Sequence, residues 1–209
     1  MCKQIQILLV SLILLLILVG SAYSDTAYVE NVTIEDVSTQ WSGYGRQAVH
    51  TVDGSGWLIN GAGTHTNLPN GTMWLTNTSQ AVSAAYIVFD LGAEYDLESM
   101  DIWNSNGPSS EPGRGVKDME VLVSADNSTW TSMGNYTLAI APGDAYVPFT
   151  DTHSLAADGV RYVKFDIATN FDNNIYGLVG LSEVRFIPEP ATLVLLGVGG
   201  LAFLRRQRS

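Results

Sequence analysis

The sequence predicts an all-β domain, a sandwich or jelly roll, with a different kind of segment at each end. Three observations point there. Many short stretches alternate apolar and polar residues with period two, the mark of half-buried strands. Gly, Asn, Pro and Ser separate them, and no stretch between Asp25 and Ile187 carries a helical period. Both ends instead carry unbroken apolar runs. Setting those ends aside leaves roughly 160 residues, enough for one domain with a sizeable core.

Residues 1–24 read as a secretory signal peptide. Lys3 gives a positive start, an apolar run follows over 7–19, and Ala22 and Ser24 form a small pair before the cleavage point. Cys2 precedes the apolar run, so it does not occupy a lipid-attachment position. It is also the only cysteine. The domain over 25–187 therefore has no disulfide and no cysteine-bound metal.

Residues 28–35 alternate and form the first expected strand. Residues 38–83 are rich in Gly, Asn, Thr and Trp without a long period, an unusual length of irregular chain for a compact domain. Trp41, Trp57 and Trp74 imply that it is ordered and partly buried. Strands are expected at 86–91, with Ile87, Phe89 and Leu91 inward and Gly92 ending it, and at 99–104, with Met100 and Ile102 together. A hairpin follows. Lys117, Met119, Val121 and Val123 share one face of its first strand. Asp126, Asn127 and Ser128 supply the turn, because short polar side chains bond their own backbone there. The return strand covers 130–138. A short strand is expected at 146–150, then one at 160–169 with Val163, Phe165 and Ile167 inward. A last strand at 181–187 turns Val184 and Phe186 inward.

At Pro188 the character changes, since proline lacks the donor a central strand needs. Residues 191–204 are uncharged and mostly apolar, and Arg205, Arg206 and Arg208 follow. The run is short for a span, which usually takes about 20 residues. Its basic end still suits a single membrane helix with the arginines in the cytoplasm.

The chain is acidic, with 21 Asp and Glu against 10 Lys and Arg and a net charge of −11. Only six of the basic residues lie between Asp25 and Ile187. Such a domain repels phosphate backbones, which argues against nucleic acid as a partner. Its carboxylates suit a hard cation such as calcium, or simply a solvated surface. The three histidines, His50, His65 and His153, have no metal-ligand spacing. No nucleophile elbow or phosphate-binding loop is present. A carboxylate pair for glycoside hydrolysis is not excluded by counting, but no catalytic set is expected.

Two resemblances add to this. Pro188, Glu189 and Pro190, the apolar run with Gly197, Gly199 and Gly200, and then Arg205 and Arg206 resemble the PEP-CTERM sorting signal of Gram-negative bacteria. That resemblance implies export and a transient hold in the inner membrane. An exosortase-type enzyme then cuts near the motif and releases the protein to the cell surface or extracellular matrix.

The domain resembles the discoidin type, also called coagulation-factor C-type or galactose-binding-like. The matching pieces are the run from Ala48 to Gly54, the strand from Tyr86 to Gly92, and Ile102 to Asn104. Arg114 to Lys117 leading to Asp126, Val160 to Phe165, and Leu181 to Phe186 complete the set. Residues 55–77 depart from the pattern, being longer and richer in Gly and Asn. The resemblance implies an eight-stranded discoidin-like jelly roll and a binding module.

Exposed aromatic faces suit the apolar C–H faces of sugar rings, with polar neighbours for the hydroxyls. Trp41, Tyr44, Phe171 and Tyr176 are the candidate platforms, with Asn104 and Arg114 as polar partners. Asn106, Asn173 and Asn174 could also serve as polar partners. The expected ligand is extracellular polysaccharide. The rivals are a structural matrix protein without a small ligand and a hydrolase of surface polymer. In the domains resembled, carboxylates at the positions of Asp53 and Glu183 come together and often hold calcium, and here the backbone carbonyls of His50 and Ser55, with the Ser55 or Thr64 hydroxyl, are the candidates to complete the shell. The alternative is that Asp53 caps its own turn and Glu183 pairs with an arginine.

The two ends carry the first testable expectation. Mass spectrometry of the native protein is expected to find a mature start near Asp25 and a tail cut close to Pro188, Glu189 and Pro190. An intact Met1, or a retained Arg208, contradicts one end or the other.

Overall fold

The structure, a computed structural model, describes residues 28–58, 63–172 and 177–190. Tyr28–Pro188 forms one compact unit. The other unit comprises Met1–Ala27 and Glu189–Ser209, of which only exposed Glu189 and Pro190 are described. The expected signal peptide, the membrane helix at 191–204, Arg205, Arg206 and Tyr176 all lie outside the described residues, as do Asn173 and Asn174. No described helix is long and apolar enough to cross a membrane.

The described residues contain seven strands and four short 3-10 turns, and no α-helix. The strands are β1 (Thr33–Val37), β2 (Trp74–Leu75), β3 (Tyr86–Asn104), β4 (Val116–Ser124), β5 (Thr131–Thr137), β6 (Asp151–Asn170) and β7 (Gly180–Pro188). All named pairings are antiparallel. The long strands β3 and β6 serve two layers at once. Their halves at 86–90 and 162–170 lie between β1 and β4, with β5 outside. The other half of β3, from Leu97 to Asn104, pairs with β7, and β7 pairs with β2. Register shifts between Asp90 and Ser99 mark the change of layer.

The core fills the space between the layers. Phe89 of β3 meets Phe165 of β6 at 5.2 Å and Phe186 of β7 at 5.4 Å, both edge to face. Ile87, Met100, Ile102, Val121, Val163 and Val184 close around them, all buried. The inward faces expected for β3, β4, β6 and β7 are the buried ones, with one exception. Lys117 is exposed, not inward with Met119. A register shift between Val116 and Met119 puts two successive residues outward and sends Val116 into the core.

Other expectations change for physical reasons. The stretches 86–91 and 99–104 form one strand, because β6 stays paired across the turn at Gly92. The first strand begins at Thr33, since Asn31 adopts a left-handed φ of 59° and breaks the extended run. Residues 146–150 form a loop. The Tyr146 amide bonds its neighbour Asp144, and the side chain is 87% exposed.

Phe89→Ala is expected to lower stability by about 3–5 kcal/mol, since it empties the centre of a three-ring cluster. Urea denaturation measures it, and a loss below about 1 kcal/mol contradicts this core.

Candidate functional site

One end of the domain is built on a part-buried ion pair. A 3-10 turn at Ser42–Tyr44 reverses the chain, and Trp41 and Arg46 then pair across it. The Trp41 amide bonds the Leu75 carbonyl of β2 at 2.9 Å, which fixes the turn to the sheet. Arg46 runs inward from there. Its two terminal nitrogens donate to Glu111 at 2.7 and 2.9 Å, and its Nε donates to Asn70 Oδ1 at 3.0 Å. Such a two-pronged pair is geometrically specific as well as strong. Glu111 opens the 3-10 turn Glu111–Arg114 and also accepts from Arg114 Nη1 at 3.1 Å. The Asp172 amide then bonds the Gly113 carbonyl at 2.9 Å, which brings Phe171 to the same place. A Cβ at 113 would stand 1.8 Å from Asp172 Oδ1, so any larger residue there would push that exposed side chain aside.

This chain of contacts joins four of the six expected sugar-contacting residues at one loop end. Trp41 and Tyr44 meet edge to face at 5.1 Å, and Tyr44 is 57% exposed. Arg114 and Phe171 are half-buried. Asn104 does not join them. It is fully buried, donates to the carbonyls of Val116 and Ala139, and accepts from the Ser105 amide. Its polarity serves loop anchoring, which corrects its assignment as a ligand residue. Asn106 is buried in the same way, with bonds to His65, Thr66, Gly143 and Asp144. The sixth residue, Tyr176, lies outside the described residues. Arg46, Glu111 and Asp172 were not expected at this end, and nothing in their local sequence marks them.

The second site lies where β7 passes the loop after the 3-10 turn Ala48–Thr51. Asp53 Oδ1 accepts from the Ser55 amide at 2.9 Å, and Oδ2 sits 2.9 Å from His50 Nδ1. Ser55 Oγ lies 3.2 Å from the same nitrogen. Burial alone would raise the Asp53 pKa, but the bonds from Ser55 and His50 hold it below the usual value. Glu183 is fully buried on β7, with Arg185 Nη2 at 2.5 Å from its Oε1. Burial pushes the Glu183 pKa up to about 7, Arg185 opposes this, and the Asp53 charge adds to it. The Gly54 amide also faces this carboxylate and favours its charge, short of full hydrogen-bond geometry among the described residues. Nearby His65 is buried, which lowers its pKa to about 4 and keeps it neutral. Its Nδ1 faces the Thr66 carbonyl at 3.2 Å and so carries the proton.

Calcium takes six to eight oxygens. Here Asp53 is committed to His50 and Ser55, and Glu183 faces a guanidinium. No group of three His, Cys, Asp or Glu among the described residues is placed to hold a metal ion. In this arrangement the donor set does not fit calcium.

With the geometry in view, comparison with known proteins adds the lineage. Residues 24–180 match the F5/8 type C domain model. The chain belongs to the F5/8 type C domain family. Residues 186–209 match the PEP-CTERM protein-sorting motif, which implies exosortase processing, export and sorting to the cell envelope. No curated protein matches the chain.

Among solved structures, the C-terminal domain of a chitobiase from Bacteroides fragilis is 16% identical with a TM-score of 0.58. The match covers 78% of this chain and 97% of that one. CBM32-1 from a family 31 glycoside hydrolase of Clostridium perfringens is 17% identical with a TM-score of 0.52, covering 77% and 96%. A family 89 glycoside hydrolase of the same organism, in complex with GlcNAc-α-1,4-galactose, is 15% identical with a TM-score of 0.51. That match covers 78% of this chain but only 14% of the enzyme. These likenesses show the fold of the F5/8 type C domain.

The raised Glu183 pKa fixes the sign of a pH effect. A carboxyl that binds its proton more tightly when folded contributes stability below about pH 4.5 and loses it as pH rises through about 7. His65 works oppositely, contributing above about pH 6.5 and failing as pH falls towards 4. Glu183→Gln removes only the first effect. Its stability relative to the unaltered protein is therefore expected to rise by up to about 3 kcal/mol from about pH 5 to about pH 8. Denaturant titrations at both values measure it, and an unchanged or falling difference contradicts the buried, destabilised carboxylate.

Proposed function

We propose that this chain is an exported, non-catalytic module whose β-sandwich binds carbohydrate of the extracellular matrix. The loop end carrying Trp41, Tyr44, Arg114 and Phe171 is the binding surface. The observation that carries this reading is the edge-to-face Trp41–Tyr44 pair, half-buried at Trp41 and exposed at Tyr44, held in one loop end with Arg114 by the Arg46–Glu111 ion pair. Aromatic faces take the C–H side of a sugar ring, and a guanidinium donates to its hydroxyls. Arg114 uses one nitrogen on Glu111 and is only part-buried, so it can still donate outward. The family and its fold likeness to CBM32 domains support the same reading. An exosortase-type enzyme is the processing partner, and surface polysaccharide is the ligand the sorting route would supply.

A second reading, a structural matrix protein, draws on a different surface. Leu68, Ile140, Tyr146 and Val147 are exposed on loops that Asn67 and Asn106 tie together. An exposed apolar group of this kind suits contact with another protein.

Isothermal titration with galactose-type and matrix-derived oligosaccharides is expected to give a weak Kd, on the order of 0.1–1 mM, as a shallow site makes few contacts. Tyr44→Ala and Arg114→Ala are each expected to weaken it by about tenfold or more, a loss of about 1.4 kcal/mol. Tyr146→Ala is expected to leave it unchanged. Absence of binding to every oligosaccharide at millimolar concentration favours the structural reading.

A further inference from the structure

We infer that Arg185 is the resident cation of the Asp53–Glu183 site, and that its guanidinium closes this end of the domain in place of a metal ion. Glu183 and Arg185 are two residues apart on β7, so strand geometry points both side chains to one side. The guanidinium therefore reaches the buried carboxylate by construction, with Nη2 at 2.5 Å from Oε1.

Its other surroundings fit the same role. The Arg185 Cζ lies 4.7 Å from the Trp57 ring centroid, a cation–π arrangement. Trp57 in turn packs edge-on against Trp103 at 5.6 Å and Tyr28 at 6.3 Å. Gly54, at φ 69°, turns the loop so that even a methyl group there would approach Arg185 Nη2 to 3.2 Å. The loop that follows Asp53 thus wraps the guanidinium closely, through a turn that favours glycine.

The electrostatics agree. The Asp53 charge acts on Glu183, and only Arg185 forms an ion pair with Glu183 among the described residues. Asp53 is already held by His50 and the Ser55 amide. Removing one partner of a buried pair leaves an uncompensated charge, which costs far more than an exposed pair is worth. Arg185 therefore supplies the neutralising charge and also links β7 to the loop through Trp57. No metal is required for either task.

Thermal melts of the full-length chain in detergent test this. With EDTA or with millimolar calcium, the two melts are expected to coincide within about 1 °C. A rise of several degrees in calcium overturns the inference. Arg185→Met keeps a stem to lie on Trp57 but removes the charge. It is expected to melt several degrees lower in EDTA and to recover part of that loss in calcium, as the Glu183 carboxylate, freed of its guanidinium, becomes available to the ion beside Asp53. An unchanged melt, or a loss that calcium does not touch, overturns the equivalence of guanidinium and ion. Should Arg185→Met fail to fold, the double variant Glu183→Gln with Arg185→Met keeps the question open to test. With neither charge present it is expected to fold, and its failure to do so overturns a charge-based role.

Discussion

Closure by β7 is the constraint on which the rest of the domain depends. The strand pairs with β3 on one side and with β2 on the other. The Val29 amide, at the start of the compact unit, bonds the Phe186 carbonyl at 2.8 Å. Phe186 reaches across the core to Phe89, and Glu183 holds Arg185 under the loop that carries Trp57. A domain without cysteine between Asp25 and Ile187 has no covalent tie between its beginning and end. Backbone pairing, aromatic packing and one buried ion pair do that work along a strand of nine residues.

The same economy shapes the aromatic loop site. A charge-poor domain places two of its six basic residues, Arg46 and Arg114, on a single carboxylate. Arg46 is almost wholly buried, so its role is to fix the loop, whereas Arg114 remains part-exposed. One arginine builds the site and the other is left able to act in it. Buried asparagines do similar work where loops cross. Asn104 and Asn106 donate to backbone carbonyls of the crossing loops and of Val116 at the start of β4, and an unmet buried carbonyl would cost about 1–3 kcal/mol.

Much of this fold can be read from alternation, because a half-buried strand leaves a period-two trace in the sequence. The inward faces of Ile87, Phe89 and Leu91, and of Val163, Phe165 and Ile167, are of that kind. What alternation hides is continuity and exceptions. Gly92 looks like a strand end, yet β3 continues because β6 remains beside it. Lys117 looks inward until a register shift turns it out. Loop aromatics marked the candidate surface, and Trp41 and Tyr44 do meet. The pair that holds the surface together joins residues 65 positions apart, so no local pattern reveals it. Asparagine misled for a related reason, since the same amide that binds a sugar hydroxyl also satisfies a buried backbone, and only burial tells the two apart. The pairing of Glu183 with Arg185 was legible in principle, from their spacing on one strand.

The central claim is that the aromatic and arginine loop end is where this domain meets its ligand. The most direct measurement is an amide chemical-shift map of the isotope-labelled protein titrated with a matrix oligosaccharide that it binds. The account predicts shifts concentrated at Trp41, Tyr44, Arg46, Glu111, Arg114 and Phe171, with the pocket at the far end of β4, lined by Asp126 of the β4–β5 turn and Asp158 of β6, silent. Shifts centred on Asp126 and Asp158, or on Leu68 and Tyr146, would contradict it.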